Sequence, residues 1–316
     1  MKILPILIIA FSVIALPARS VAERDLFGRV IEDRIYTDGP VEIETSDTLV
    51  VVGGDTLGVV VQDTVIARDD ATPYQLRVAR GVESGSGLRI QGYYADVDDA
   101  VETCWPVGGA YVFPAAAQQM EIVSTSTSDD GLPAGTGALT VEIHYLTAAW
   151  AEKTDVVTLD GTTVVTTNAS DIYRINDFHV MTVGTSGSAV GDIDVRNVAD
   201  TPIYARISAG FNSHQSAVYT VPISKTLYIN AFAMSSGSAA GTHYVVGRMR
   251  ATVNNGSWNQ GVFYQFDGLL TQNGFGVNPF YIPIIFPAKT DVVVTVVSDN
   301  AASNAAAFTT IEGILK

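Results

Sequence analysis

The sequence predicts an all-β protein, a β-sandwich or jelly roll with a smaller N-terminal β domain, and three observations predict it. Helical periodicity is nearly absent, short β-branched and aromatic runs recur along the chain, and Gly, Asp, Asn and Ser bound those runs at regular intervals. Composition agrees with a folded chain: of 316 residues 47% are hydrophobic and 16% charged, against roughly 25% charged in ordinary soluble domains. Such a chain can bury ample apolar surface, which excludes disorder.

Taken in order, residues 1–22 read as a secretory signal peptide or an apolar N-terminal arm. Lys2 supplies the positive start, residues 3–17 the apolar stretch, and Ser20-Val21-Ala22 the small-residue cleavage pattern. A membrane-spanning helix wants about 20 apolar residues, so this stretch is short for a span, and membrane contact is expected only through residues 3–17, if they are retained. Residues 23–118 follow as an acidic β domain, with strands expected at 42–52, 58–67 and 75–80. A proline and small residues at 113–120 mark the next boundary.

Residues 119–316 have the length of one jelly-roll-like sandwich, with two smaller sandwiches meeting near Val221-Pro222 as the alternative. In the run 140–145, Val141, Ile143 and Tyr145 fall on one face and Glu142 and His144 on the other, as a half-buried strand requires. Runs 156–159 and 162–167 flank Asp160-Gly161, a dipeptide suited to a two-residue hairpin. Further strands are expected at 172–183, 203–208, 217–221, 227–233, 244–253, 262–266, 280–286 and 292–297.

Charge narrows the function classes. The formal net charge is −15, from 18 Lys+Arg and 33 Asp+Glu, and clustered basic residues are lacking, which argues against nucleic acid as a partner. Residues 23–120 carry 7 basic and 17 acidic groups, 121–200 carry 3 and 12, and 201–316 only 6 and 4. So little charge in the last third implies burial, in a wide core or against other subunits, or else a Ser/Thr/Asn surface.

Catalytic signatures do not emerge, so the expected class is non-enzymatic. Gly184-Thr185-Ser186-Gly187-Ser188 lacks the Gly-x-Ser-x-Gly elbow and its α/β setting. The single cysteine, Cys104, rules out an intrachain disulfide framework and reads as a small buried residue. The histidines His144, His179, His214 and His243 show no local ligand spacing in sequence. No cofactor is expected, with Ca²⁺ as the one candidate: Asp96, Asp98 and Asp99 with Glu102 are the weak calcium-ligand set. Asp69-Asp70, Asp129-Asp130 and Asp192-Ile193-Asp194 form further acidic groups. Turn carboxylates exposed to solvent are the plainer reading of all of them. Trp258, Tyr264 and Phe275, with Phe263, Phe266, Phe280 and Tyr281, gather among Asn, Gln and Gly as core, protein-interface or glycan-contact residues.

Several runs resemble structural proteins of marine tailed phages and related viruses. They are Glu102-Thr103-Cys104-Trp105-Pro106-Val107-Gly108-Gly109, the stretch Ala116-Ala117-Gln118-Gln119-Met120-Glu121-Ile122-Val123-Ser124, and Asp129-Asp130-Gly131 with Ala134-Gly135-Thr136-Gly137-Ala138. The likeness runs on through 141–146, 157–163, 217–222 and 225–229, so it covers about 102–233. It implies a β-sandwich capsid, decoration, fibre or spike protein of the virion that acts by assembly with itself, as a guessed trimer, and with other virion proteins. The signal-like leader departs from that pattern. It keeps open the alternative of a secreted carbohydrate-binding or adhesion sandwich whose partners are host surface glycans.

Overall fold

Alternation of buried and exposed side chains organises sixteen strands and one short helix in a computed structural model that describes residues 73–238, 243–256, 261–301 and 305–316. All of these but Pro73 belong to Tyr74–Lys316, the second of two compact units into which the chain divides. The signal-like leader, the strands expected at 42–52 and 58–67, and Asp69-Asp70 lie outside the described residues. The protein is all-β, as expected. One segment departs from expectation: 75–80, read as a strand, forms the helix α1 (Tyr74–Ala79). Only Val78 of this turn is buried, so a single anchor replaces the alternating face that a strand would need.

The remaining elements form two sandwiches with separate cores. In the first, β1 (Ser86–Val97), β16 (Ala305–Leu315), β11 (Leu227–Ser238) and β14 (Gly274–Phe286) make one sheet in that order. Its partner sheet runs β10 (Val218–Thr220), β15 (Thr290–Ser298), β12 (Val245–Val253), β13 (Tyr264–Thr271), with β2 (Glu102–Thr103) also on β15. Leu227, Ile229, Phe232 and Met234 from the first sheet meet Val245, Met249, Val292, Val294 and Val296 from the second. The second sandwich stacks β6 (Val165–Thr166), β3 (Met120–Ser124), β8 (Ile193–Asn197) and β9 (Ile203–Ile207) on β5 (Glu152–Thr158), β4 (Ala138–Leu146) and β7 (Arg174–Val183). Met120, Ile122, Ile143, Phe178, Ile193 and Ile207 fill that core.

These cores divide the chain differently from the boundary read at 118/119. The described part of 119–316 contributes to two cores, since β3 to β9 close on themselves before β10 returns to the first sandwich. Strand β1, assigned by sequence to the acidic N-terminal domain, instead pairs antiparallel with the last strand, from Ser86↔Leu315 to Val97↔Ala305. Gly92 permits this crossing, since a Cβ there would collide with the Cys104 carbonyl and with Ala217. The expected hairpin at Asp160-Gly161 is also corrected. A turn does form, with Gly161 at φ 57° and Thr163 N–H donating to Asp160 O at 2.8 Å. However, β5 pairs with β4 and β6 with β3, so the turn carries the chain from one sheet to the other.

A buried ion pair fastens the two sandwiches. Arg174 on β7 donates from Nε and Nη2 to the two carboxylate oxygens of Asp291 on β15, each at 3.1 Å. Nη1 donates to the carbonyls of Pro114 (2.9 Å) and Tyr173 (3.1 Å). Thr220 Oγ1 (2.6 Å) and Asn254 Nδ2 (2.7 Å) complete the acceptor needs of Asp291. The guanidinium carbon lies 4.1 Å from the Tyr173 ring centroid, 4.9 Å from Phe113 and 5.4 Å from Trp150. Beside it, the Asn176 amide both donates to Thr220 O and accepts Thr220 N–H, each at 2.8 Å.

Two outcomes follow from this packing. Arg174→Ala leaves the Asp291 carboxylate buried without its counter-charge and should cost about 3–5 kcal/mol in equilibrium urea unfolding, whereas Arg89→Ala, at an exposed pair with Glu312, should cost under about 1 kcal/mol. Cys104 is fully buried, its Sγ 3.8 Å from Ala307 O, and burial pushes its thiol up to about 12. It should resist thiol reagents at pH 8 in the native protein and react fully in denaturant.

Candidate functional site

Strands β13 and β14 lie at the edges of the two sheets of the first sandwich and are joined by Gln272-Asn273. Their inward residues Phe266, Leu269, Phe280 and Ile284 pack against the core. Their outward residues are apolar as well: Phe275 is 69% exposed, and Tyr264, Leu270, Val277 and Ile285 are also exposed. Between the pairs Ile229↔Ile284 and Ala231↔Pro279, four residues of β14 stand against Asn230 alone. This bulge lifts Tyr281 and Ile282 off the sheet, leaving them 102% and 85% exposed.

These two strands are almost free of charge themselves, with Arg248 and Arg250 of β12 beside β13. Asp267 is the sole charged residue in 261–286, and its carboxylate accepts both contacts of the Asn278 amide, at 3.1 and 3.2 Å. Pro279 and Pro283 withhold main-chain donors along the β14 edge, so another strand cannot extend the ladder regularly through this stretch. What the edge offers a partner is side-chain area. Of the three aromatics singled out from sequence, Tyr264 and Phe275 lie on these exposed edge strands, and Trp258 lies outside the described residues.

Asp98, Glu102, Asp129 and Asp194 accept from the protein's own donors. Asp96, Asp98, Asp99 and Glu102 do not converge into a ligand set. Asp98 Oδ1 accepts Ala100 N–H at 2.7 Å, closing its own turn, while Glu102 Oε1 accepts Gly109 N–H (2.8 Å) and the Tyr94 hydroxyl (3.2 Å). Asp129 is completely buried and accepts from Ser124 Oγ and from the backbone N–H groups of Ala138, Val190 and Gly191 at 2.6–2.9 Å. It ties three loops together. Asp194 pairs with Arg206 through Nε (2.6 Å) and Nη2 (2.7 Å).

A cluster that the histidine spacing in sequence conceals sits on the outward face of β4 and β7. Pairing places Glu142 opposite His179 and His144 opposite Asp177. Glu142 Oε2 lies 3.4 Å from His179 Nε2 and 3.6 Å from His144 Nε2, and the two rings meet edge-on at 5.4 Å. Among the described residues this is the group of three His, Cys, Asp or Glu side chains whose ligand atoms fall within 4.8 Å of one another. His179 Nδ1 donates to Asp177 Oδ2 at 2.8 Å. His214 Nδ1 stands 3.3 Å from the other Asp177 oxygen. Burial pushes the Asp177 carboxyl up, but the two imidazoles outweigh it and hold the group at about 2. A cleft of about 430 Å³ adjoins the cluster, lined by His144, Asp177 and His214 and by Arg89 and Gln91 of β1. The signal was present in sequence as two acid-x-His alternations, Glu142-x-His144 and Asp177-x-His179; their register across the sheet was not.

No protein-family model matches the sequence, and no curated protein is similar to it. Among solved structures, infectious bursal virus derived T=1 particles are similar at 10% identity, over 74% of this chain and 69% of that chain, with a TM-score of 0.19. A VP2 subviral particle of infectious bursal disease virus is similar at 9% identity, over 74% and 72%, with a TM-score of 0.18. At such TM-scores the sandwich assignment rests on the chain's own strands and cores. No helix among the described residues is long and apolar enough to cross a membrane.

Proposed function

We propose that this chain is a non-enzymatic structural protein of a virus particle, acting by self-assembly, and that further copies pack on the β13–β14 edge. The observation that carries the reading is the uncharged apolar surface raised there by the bulge at Tyr281 and Ile282. The chain as a whole carries a net charge of −15, so two copies repel one another except where charge is absent. Burying one large apolar side chain is worth about 1.5–3 kcal/mol. Five of them, Phe275, Val277, Tyr281, Ile282 and Ile285, supply on the order of 10 kcal/mol, which matches the roughly 4–15 kcal/mol that association costs. One such contact is therefore marginal, and a closed ring of them is favoured. A trimer, with other virion proteins as neighbours, is the proposed arrangement, and the phage-like runs between Glu102 and Ala233 support placing it in a virion.

Light scattering on the purified chain across a concentration series tests this. Wild type should form a defined oligomer, and Tyr281→Asp with Ile282→Asp should convert it to monomer while leaving the unfolding midpoint within the change typical of surface substitutions, about 0.5 kcal/mol. A wild type that stays monomeric at high concentration overturns the reading. If glycan-array binding is then found and lost in Tyr264→Ala or Phe275→Ala, the exposed aromatics serve a secreted carbohydrate-binding protein instead.

A further inference from the structure

We infer that Glu142, His144 and His179 form a binding site for a divalent transition metal of the zinc class, with Asp177 as the residue that orients His179. Two imidazoles and one carboxylate are a donor set suited to such ions, whereas calcium and magnesium select oxygen. The spacings separate this arrangement from ordinary ion pairing. Charge-assisted N–H···O contacts close to about 2.7–2.9 Å. Glu142 Oε2 instead stands 3.4 and 3.6 Å from the two Nε2 atoms. Ligands at 2.0–2.1 Å around a tetrahedral metal are about 3.3 Å apart, so the observed separations suit atoms flanking an ion.

The backbone presets the set. Antiparallel pairing of β4 and β7 puts Glu142 beside His179 and sends His144 to the same face two residues along. The His144 side chain is 45% exposed, and its Nε2 lies 3.6 Å from Glu142 Oε2. The Asp177 contact at 2.8 Å fixes the His179 tautomer. Because a carboxylate can only accept, a proton sits on Nδ1, and in the neutral ring this turns the Nε2 lone pair toward Glu142, the outer-shell arrangement found around metal-bound histidines. Three protein ligands leave a position for water on the solvent side, next to the cleft lined by Asp177, His214 and Arg89.

Cobalt(II) and zinc(II) added to the chelator-stripped full-length chain provide the test. Wild type should bind one zinc in calorimetry and give the intense visible absorption of cobalt in a four- or five-coordinate nitrogen–oxygen site. The double variant His144→Ala with His179→Ala should lose the absorption and weaken zinc binding at least 100-fold. Asp177→Asn, which keeps all three ligands, should weaken it about 10–100-fold. His243→Ala, at the separate Asp299 contact, should leave it unchanged. Unaltered far-UV circular dichroism in each variant separates ligand loss from misfolding. Absence of saturable binding by wild type, or one-to-one binding that survives the double variant, overturns the inference.

Discussion

The Arg174–Asp291 pair is the constraint on which the rest of this structure depends. It joins β7 of one sandwich to β15 of the other, and it reaches the connecting chain through the Pro114 carbonyl. Two buried charges are costly to desolvate and are tolerated only when every donor and acceptor is used. Thr220, Asn254 and the carbonyls of Pro114 and Tyr173 meet that demand, and three aromatic rings surround the guanidinium. The geometry that satisfies the charges fixes the approach of the two sandwiches, and that approach shapes the cleft in which β1 faces His144 and Asp177.

The division into two sandwiches also distributes the chemistry. Among the described residues, acidic groups concentrate in β3 to β9 and their loops, where Asp129, Asp155 and Asp194 are consumed by loop closure and pairing, while the Glu142–Asp177 face is half-buried. The first sandwich carries little charge, and its β13–β14 edge displays apolar side chains. Prolines at 279 and 283 impede strand addition there while leaving side-chain packing open, so the edge favours contacts of defined geometry over open-ended sheet growth. Polar and apolar functions thus occupy different sandwiches of one chain.

Strands with strong alternation, such as Val141, Ile143 and Tyr145 in β4, were legible because burial of one face imposes a period of two. Strands β1 and β16 were not: Gly87, Gly92 and the alanines at 305–307 weaken local β-propensity, and each is stabilised by pairing with the other across more than 200 residues of sequence. The turn at Asp160-Gly161 was legible, but the partners of its flanking strands were not, since a turn specifies local backbone and not which sheet each arm joins. The exposed β13–β14 edge was legible only as an aromatic-rich segment, because exposure depends on what packs beside it.

By itself, the sequence determined the all-β class, the sparsely charged C-terminal third, the buried character of Cys104 and the outward face that carries Glu142 and His144. These follow from composition and short-range periodicity, which act over a few residues. Only the tertiary structure decided that the described chain makes two cores, that Arg174 meets Asp291, that a bulge exposes Tyr281 and Ile282, and that His179 lies opposite Glu142. Each of those depends on strand register between distant segments, and register is set by the packing of the whole sheet.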